Sequence, residues 1–159
     1  MRTDKFDVVV LGGGNAGIAV TGPTRAVGMS VALIENRDLG GTCPNRGCTP
    51  KKVLVAAGHA LHEIERATSH CISAQKPVLD WPGLIAREKR IIEGIPERLE
   101  HTLLRRGVEV IRGEAKFVAP DAITVGDRLL DFWLAQLLNF EEREFHRRAR
   151  SPQIEHLRI

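Results

Sequence analysis

The chain alternates between short apolar blocks closed by glycine and longer stretches with helical spacing. Residues 6–14, FDVVVLGGG, hold an unbroken β-branched run that stops at three glycines, which predicts a parallel strand buried on both faces. Residues 15–28, NAGIAVTGPTRAVG, are rich in small residues and predict a helix ending near Gly28. Gly22 and Pro23 are its weak points, because an interior proline removes a hydrogen bond and kinks the helix. Residues 29–35, MSVALIE, predict a second buried strand. Strand, helix and strand within about thirty residues make a βαβ unit. Residues 50–72 have the spacing of a long helix with Pro50 near its first turn, and residues 80–107 read as a second helical stretch broken near Gly94 and Pro96. Residues 108–130 are strand-like, with turns at Gly113, Pro120–Asp121 and Gly126–Asp127. After residue 130 the chain turns strongly apolar and then dense in Glu and Arg, with no repeat or low-complexity tract.

Composition narrows the class. A chain of 159 residues with 43% hydrophobic and 27% charged residues is an ordinary globular domain. The net charge of +3 is mild, and its basic residues are not interleaved with aromatics, so a nucleic-acid partner is not expected. No apolar run approaches membrane-spanning length, and the apolar residues before the first glycines are too few for a signal-peptide core. A cytoplasmic location follows as the expectation. Thiols there are normally kept reduced, so a close cysteine pair reads as catalytic or metal-binding before it reads as a structural crosslink.

The first chemical site is GGGNAG. Gly12, Gly14 and Gly17 form Gly-x-Gly-x-x-Gly between a predicted strand and a predicted helix, enclosing Asn15 and Ala16. Gly12 permits the tight turn, Gly14 lets a pyrophosphate approach the helix N-terminus, and Gly17 lets helix and strand pack closely. Glu35 ends the second strand, where a carboxylate accepts hydrogen bonds from ribose hydroxyls. A glycine-rich turn in an unrelated α/β protein is the plain alternative; the strand, helix and acid in their expected places favour dinucleotide binding. The pattern does not separate FAD from NAD, and Glu35 argues only against a 2′-phosphate.

The second site is LGGTCPNRGCTPKK, residues 39–52, which holds Cys43 and Cys48. A structural zinc site wants four ligands; Cys71, His59, His62 and His70 supply no second knuckle, so no metal site is expected. A redox pair fits better. Residues five apart on an ideal helix point about 140° away from each other, so a bond between these two needs a non-helical loop, which Asn45 and Gly47 permit. Cys48 then stands at the start of the helix running from Pro50, where the helix N-terminus and nearby lysines favour a thiolate. Cys71 reads as core packing in a helix.

The stretch GGTCPNRGCTPKK resembles the active-site signature of the pyridine nucleotide-disulfide oxidoreductases, the family of glutathione reductase, dihydrolipoamide dehydrogenase and mercuric reductase. The Pro-Lys-Lys ending leans toward glutathione reductase. The resemblance covers roughly residues 5–130 and implies an α/β, Rossmann-like FAD/NAD(P)-binding domain with a parallel sheet. It implies FAD at Gly12, Gly14, Asn15, Ala16, Gly17 and Glu35, with Gly40, Gly41 and Thr42 on the diphosphate and ribityl region. Cys43 would attack the substrate disulfide, Cys48 would lie against the flavin, and Lys51 would approach the flavin N5 edge. Electrons would run from NAD(P)H through FAD to the Cys43/Cys48 disulfide and on to a small-molecule disulfide, in a homodimer. Lys52 keeps a surface reading.

The departures define the remaining expectations. No Ala-Thr-Gly turn and no second glycine triplet follow residue 125, so no separate nicotinamide site is visible, and the family's dimerisation domain with its His–Glu pair is missing. The chain is expected to be an incomplete member: residues 1–130 as the N-terminal part of an FAD-binding domain, and residues 131–159 as an unmatched tail. That tail is either out-of-frame sequence, favoured by the abrupt switch, or a terminal helix of its own. In the first case Trp133, Leu134, Leu137, Leu138 and Phe140 would form an exposed apolar patch. Glu142, His146 and His156 take no catalytic role. A dinucleotide-binding relic without turnover and a simple NAD-binding module stand as the competing readings. Two geometric expectations follow: Cys43 and Cys48 with Cα atoms about 4.4–6.8 Å apart, and Glu35 at the C-terminal end of a parallel strand facing the Gly12–Gly17 loop.

Overall fold

The first apolar run becomes the C-terminal half of β1 (Arg2–Leu11), where Val8, Val9, Val10 and Leu11 are all buried. The computed structural model describes residues 2–137. After β1 come α1 (Asn15–Ala26), β2 (Val31–Glu35), α2 (Thr42–Arg46), α3 (Cys48–Arg66), a 3₁₀ turn (Ala67–His70), α4 (Trp81–Ile92) and α5 (Ile95–Arg105). Four strands follow: β3 (Val108–Arg112), β4 (Ala115–Ala119), β5 (Ala122–Val125) and β6 (Arg128–Leu137).

The six strands form one sheet in the order β3-β2-β1-β6-β5-β4. The first four are parallel, and β5 and β4 add antiparallel. This is the predicted α/β class with a parallel sheet at its centre, a Rossmann-like dinucleotide-binding domain. β1 and β2 lie inside that sheet and are apolar on both faces, which is why they read as continuous runs and not as alternation. One face carries Val8, Val10, Val31, Leu33 and Val108, packed with Ile18 and Val20 of α1 and Leu99 and Leu103 of α5. The other gathers Val9, Leu11, Ile34, Ile111, Ile123, Leu130 and Phe132. Phe117 meets Phe132 edge to face there, with ring centres 6.3 Å apart. Each fully buried Val or Leu contributes about 1.5–3 kcal/mol relative to exposure, so both faces of β1 and β2 hold the strand ends where the glycine turn and Glu35 sit.

Several expectations change. α1 runs through Pro23 without a break. The carbonyl that proline leaves without a helical N–H belongs to Ala19, four residues back and itself exposed, so water can satisfy it. The helical stretch at 80–107 divides at Gly94, whose φ of 72° no L-residue adopts easily. α3 stops at Arg66, and Cys71 is exposed, in the left-handed conformation that caps the 3₁₀ turn; it is not a core residue of a helix. The division at residue 130 falls inside β6, which pairs with β1 from Arg2↔Arg128 to Leu11↔Leu137. Residues 131–137 thus continue the sheet. Trp133 is 80% exposed. The side chains of Leu134 and Leu137, and the whole of Leu138, Phe140, Glu142, His146 and His156, lie outside the described residues.

Candidate functional site

A groove of about 410 Å³ opens at the C-terminal ends of the parallel strands, where open α/β sheets bind ligands. Gly12, Glu35, Arg37, Gly41, Thr42 and Arg46 line it, with Gly113 and Glu114 from the β3–β4 turn. A broader, shallow depression of about 620 Å³ lies on the outer face of α1 around Gly22, Pro23 and Arg106, and among the described residues no carboxylate or thiol lines it.

The groove floor is the β1–α1 turn. Gly12 takes a φ of 100°, and its N–H still donates to the Ile34 carbonyl at 2.8 Å, so the chain turns while paired to β2. α1 begins at Asn15 with Gly14 as its cap, without a side-chain cap and without an acid in the first turn. The first intrahelical bond runs from the Ile18 N–H to the Gly14 carbonyl. The N–H groups of Asn15, Ala16 and Gly17 are therefore left for an outside acceptor, and the helix dipole favours an anion. A Cβ on Gly17 would collide with the Gly12 carbonyl oxygen and lie 3.2 Å from Val10 Cγ1. Glycine here sets how closely α1 lies on β1.

Glu35 ends β2, buried to 8% exposure. Its Oε2 accepts from the Gly13 N–H and its Oε1 from the Arg37 N–H, each at 2.8 Å. A carboxylate offers about four acceptor positions, so both oxygens retain capacity toward the groove. Gly13 was not among the predicted residues, because it fills a variable place in the glycine pattern. Its side-chain position is closed by Leu39, with the Glu35 Oε2 and Leu33 each at 3.2 Å.

The cysteine segment is stitched to this turn. The Gly40 N–H donates to the Gly13 carbonyl at 2.7 Å, and Gly14 bridges Gly40 in parallel. Gly41 has a φ of 63°, and a Cβ there would press to 3.0 Å on the Gly14 Cα. Asn45 donates from Nδ2 to the Leu39 and Gly41 carbonyls at 3.0 and 2.9 Å, fixing α2 to the turn before it. Arg46 forms an ion pair with Asp38 across the groove wall.

The two cysteines stand on different helices. Cys43 lies in α2, and Cys48 is the first residue of α3 after Gly47. Gly47 packs so closely on α2 that a Cβ would lie 3.0 Å from the Thr42 carbonyl oxygen and 3.5 Å from the Cys43 Cα. The break at Gly47 removes the divergence that one continuous helix would impose. All three cysteines carry free thiols. The neighbouring Cys48 thiol first, and then the Asn15 side-chain amide, favour the Cys43 thiolate, with smaller help from the Cys48 N–H and the Lys52 charge. These hold the Cys43 thiol below the ordinary cysteine range against a smaller opposing effect of burial. Lys52 is the lysine whose charge adds to the lowering at Cys43. Lys51 is exposed on α3, and its N–H bonds the Gly47 carbonyl at 3.0 Å. Among the described residues, no three of His, Cys, Asp and Glu gather as a metal site, and no helix is long and apolar enough to cross a membrane.

The model of the pyridine nucleotide-disulphide oxidoreductase family matches residues 6–132. The chain belongs to this family. Among its relatives, dihydrolipoyl dehydrogenase 1, mitochondrial, of Arabidopsis thaliana is 30% identical over 125 residues, covering 77% of this chain and 25% of the relative. Leghemoglobin reductase of Vigna unguiculata is 32% identical, covering 77% and 24%. Dihydrolipoyl dehydrogenase of Zymomonas mobilis is 34% identical over 110 residues, covering 69% and 24%. The chain thus spans about a quarter of the length of these relatives. The family match ends inside β6, close to where the resemblance in the sequence also fades.

Proposed function

We propose that this chain is the FAD-binding and redox-dithiol portion of a flavoprotein disulfide oxidoreductase. The observation that carries the reading is the join between the two motifs: the Gly40 N–H bonds the Gly13 carbonyl at 2.7 Å, so an anion-accepting helix start and a paired dithiol share one stretch of backbone. A dinucleotide fits the residues present. Three unpaired N–H groups face the place of a diphosphate, glycine at 41 keeps the approach to Gly14 open, and Glu35 retains acceptor capacity for ribose hydroxyls. Thr42, Gly40 and Gly41 would flank the diphosphate, and Lys51 would reach toward the ring system. When bound, FAD supplies the two-electron link between a nicotinamide and the cysteine pair.

The chain's own residues account for the thiol half of the cycle. The Cys43 thiolate attacks one sulfur of a substrate disulfide, forming a mixed disulfide and releasing the first substrate thiolate, which takes a proton. The Cys48 thiol then loses its proton and attacks the Cys43 sulfur. The Cys43–Cys48 bond closes and the second substrate thiolate leaves. The substrate gains two electrons and the pair loses two, to be returned from NAD(P)H through the flavin. We assign the substrate to small-molecule disulfides. The dihydrolipoyl dehydrogenase relatives make a lipoyl disulfide the first to assay, and the Pro50–Lys51–Lys52 ending makes glutathione disulfide the second. A homodimer in a reducing, cytoplasmic compartment completes the proposal. A chain that binds a dinucleotide and turns nothing over uses the same groove, and the two readings part at the thiols. The test is FAD titration followed by absorbance and flavin fluorescence, with redox titration of the cysteines in dithiothreitol buffers. Saturable FAD binding weakened by Gly41→Val, with a reversible Cys43–Cys48 disulfide, is expected. FAD binding without that disulfide supports the non-catalytic reading, and no binding removes the proposal.

A further inference from the structure

Glu35 owes its place to more than β2. Its Oε1 accepts from the Arg37 N–H at 2.8 Å, and Arg37 lies in an exposed loop, residues 36–38, between β2 and the glycines at 40 and 41. Two ties of this loop's backbone are local: the Arg37 N–H to Glu35, and the Asp38 carbonyl, which accepts from the Gly41 N–H at 3.0 Å. A third comes from 75 residues along the chain. Arg112 ends β3 beside Glu35, its partner in the parallel register. Its Nη1 donates to the Arg37 carbonyl at 2.9 Å, and its Nη2 to Glu100 Oε2 on α5 at 2.6 Å. The next N–H, that of Gly113, donates to the Glu35 carbonyl at 3.1 Å. One guanidinium thus ties the loop after β2 to the helix that packs on this sheet face.

We propose that Arg112 is a positioning residue for the ribose-accepting carboxylate: braced by Glu100, it holds the Arg37 peptide so that the Arg37 N–H stays on Glu35. The inference rests on the dinucleotide reading and adds to it a residue outside both motifs. The last torsion of a glutamate is broad, so its carboxylate turns unless both oxygens are held. Oε2 is held by the Gly13 N–H, on a turn locked between β1 and α1. Oε1 is held by an N–H of the exposed loop, and that loop needs an anchor of its own. Stability is not the main return of the Arg112–Glu100 pair. The two side chains are 42% and 34% exposed, and ion pairs that open to water contribute little. What the pair supplies is direction. The planar fork of an arginine aims two donors at a carbonyl and a carboxylate together, which the single ammonium of a lysine copies poorly.

The experiment uses the full chain with Arg112→Leu, Arg112→Lys and Glu100→Gln. Amide hydrogen exchange is read first by NMR, without ligand. Arg112→Leu is expected to speed exchange of the Arg37 amide about three- to tenfold, as a local opening. Glu100→Gln should fall between, and Arg112→Lys should recover part of the loss. The β1 amides of Val8, Val9 and Val10 should keep their protection; a merely structural role would loosen strand and loop together. Calorimetric titration with ADP and 2′-deoxy-ADP then reads the ribose. The unaltered chain is expected to prefer ADP about tenfold, the difference that one hydrogen bond to a charged group makes. In Arg112→Leu the preference should shrink to about threefold or less, chiefly through weaker ADP binding. Unchanged Arg37 exchange in Arg112→Leu, equal losses for both nucleotides, or no preference for ADP in the unaltered chain would overturn the assignment. Faster Arg37 exchange in Arg112→Leu, with neither nucleotide bound by the unaltered chain, would sink the dinucleotide reading and leave the hold of Arg112 on the loop standing.

Discussion

Gly17→Ala is the sharpest test of how the glycine turn is built. The added Cβ would collide with the Gly12 carbonyl oxygen, and its next neighbours are the Gly12 carbonyl carbon and Val10 Cγ1, both at 3.2 Å. The first two are backbone atoms of a turn held by the Gly12–Ile34 hydrogen bond at 2.8 Å, so neither can step aside by changing rotamer. α1 must lift from β1, loosening Ile18 and Val20 from the sheet face they cover. Overpacking of this kind costs about 1–3 kcal/mol. Replacing glycine by alanine in a helix returns up to about 1 kcal/mol, and less here because the position lies in the first turn. The net loss expected is about 1–2 kcal/mol. The internal control is Gly58→Ala, in the middle of α3 with no atom within 4 Å of the new Cβ; it should gain about 0.5–1 kcal/mol. Urea unfolding of both variants beside the unaltered chain, with unchanged m-values, reads the difference. Gly17→Ala as stable as Gly58→Ala would refute the close-approach argument.

Glu35→Gln removes one acceptor from a buried pair of N–H bonds and turns an amide NH₂ toward either Gly13 or Arg37; a loss of about 1–3 kcal/mol is expected in urea unfolding. Cys43 should be modified by iodoacetamide with a pH midpoint below that of an ordinary thiol, and Lys52→Gln should raise that midpoint. Because folding lowers this pKa, the thiolate stabilises the folded chain. That contribution is complete above the ordinary thiol value and disappears as pH falls through the lowered one, so Cys43→Ser should flatten the stability profile across that window. The 159-residue polypeptide, supplied with FAD, NADH or NADPH and either lipoamide or glutathione disulfide, is expected to show no steady-state disulfide reduction, since its sequence carries one glycine triplet; turnover abolished by Cys43→Ser would contradict this.

The βαβ unit was legible because each of its signals is local: β1 and β2 are apolar on both faces, and the glycines fall where the backbone turns or touches. The break between Cys43 and Cys48 was legible at Gly47, whose close packing on α2 leaves little room for a Cβ. What escaped depends on distant neighbours. Gly13 occupies a variable place in the pattern, and only Leu39, Leu33 and Glu35 around it make glycine necessary. β6 was hidden because an apolar stretch such as LLDFWLAQLL suits a strand or a buried helix equally, and β1 decides between them. Cys71 was misread because the helix before it ends at Arg66 without a glycine or proline to announce the stop.

The position of β6 also sets an order for synthesis. β1 emerges first, pairs with β2 across a short helix, and has its other edge open until residues 128–137 follow, more than a hundred residues later. Closing so long a loop costs little more entropy than closing a shorter one, since the penalty grows only logarithmically. The delay is what matters: an apolar strand with a bare edge is a template for pairing with another chain. On the ribosome, the strand that carries the glycine turn thus stays adhesive until almost the last described residue has been made.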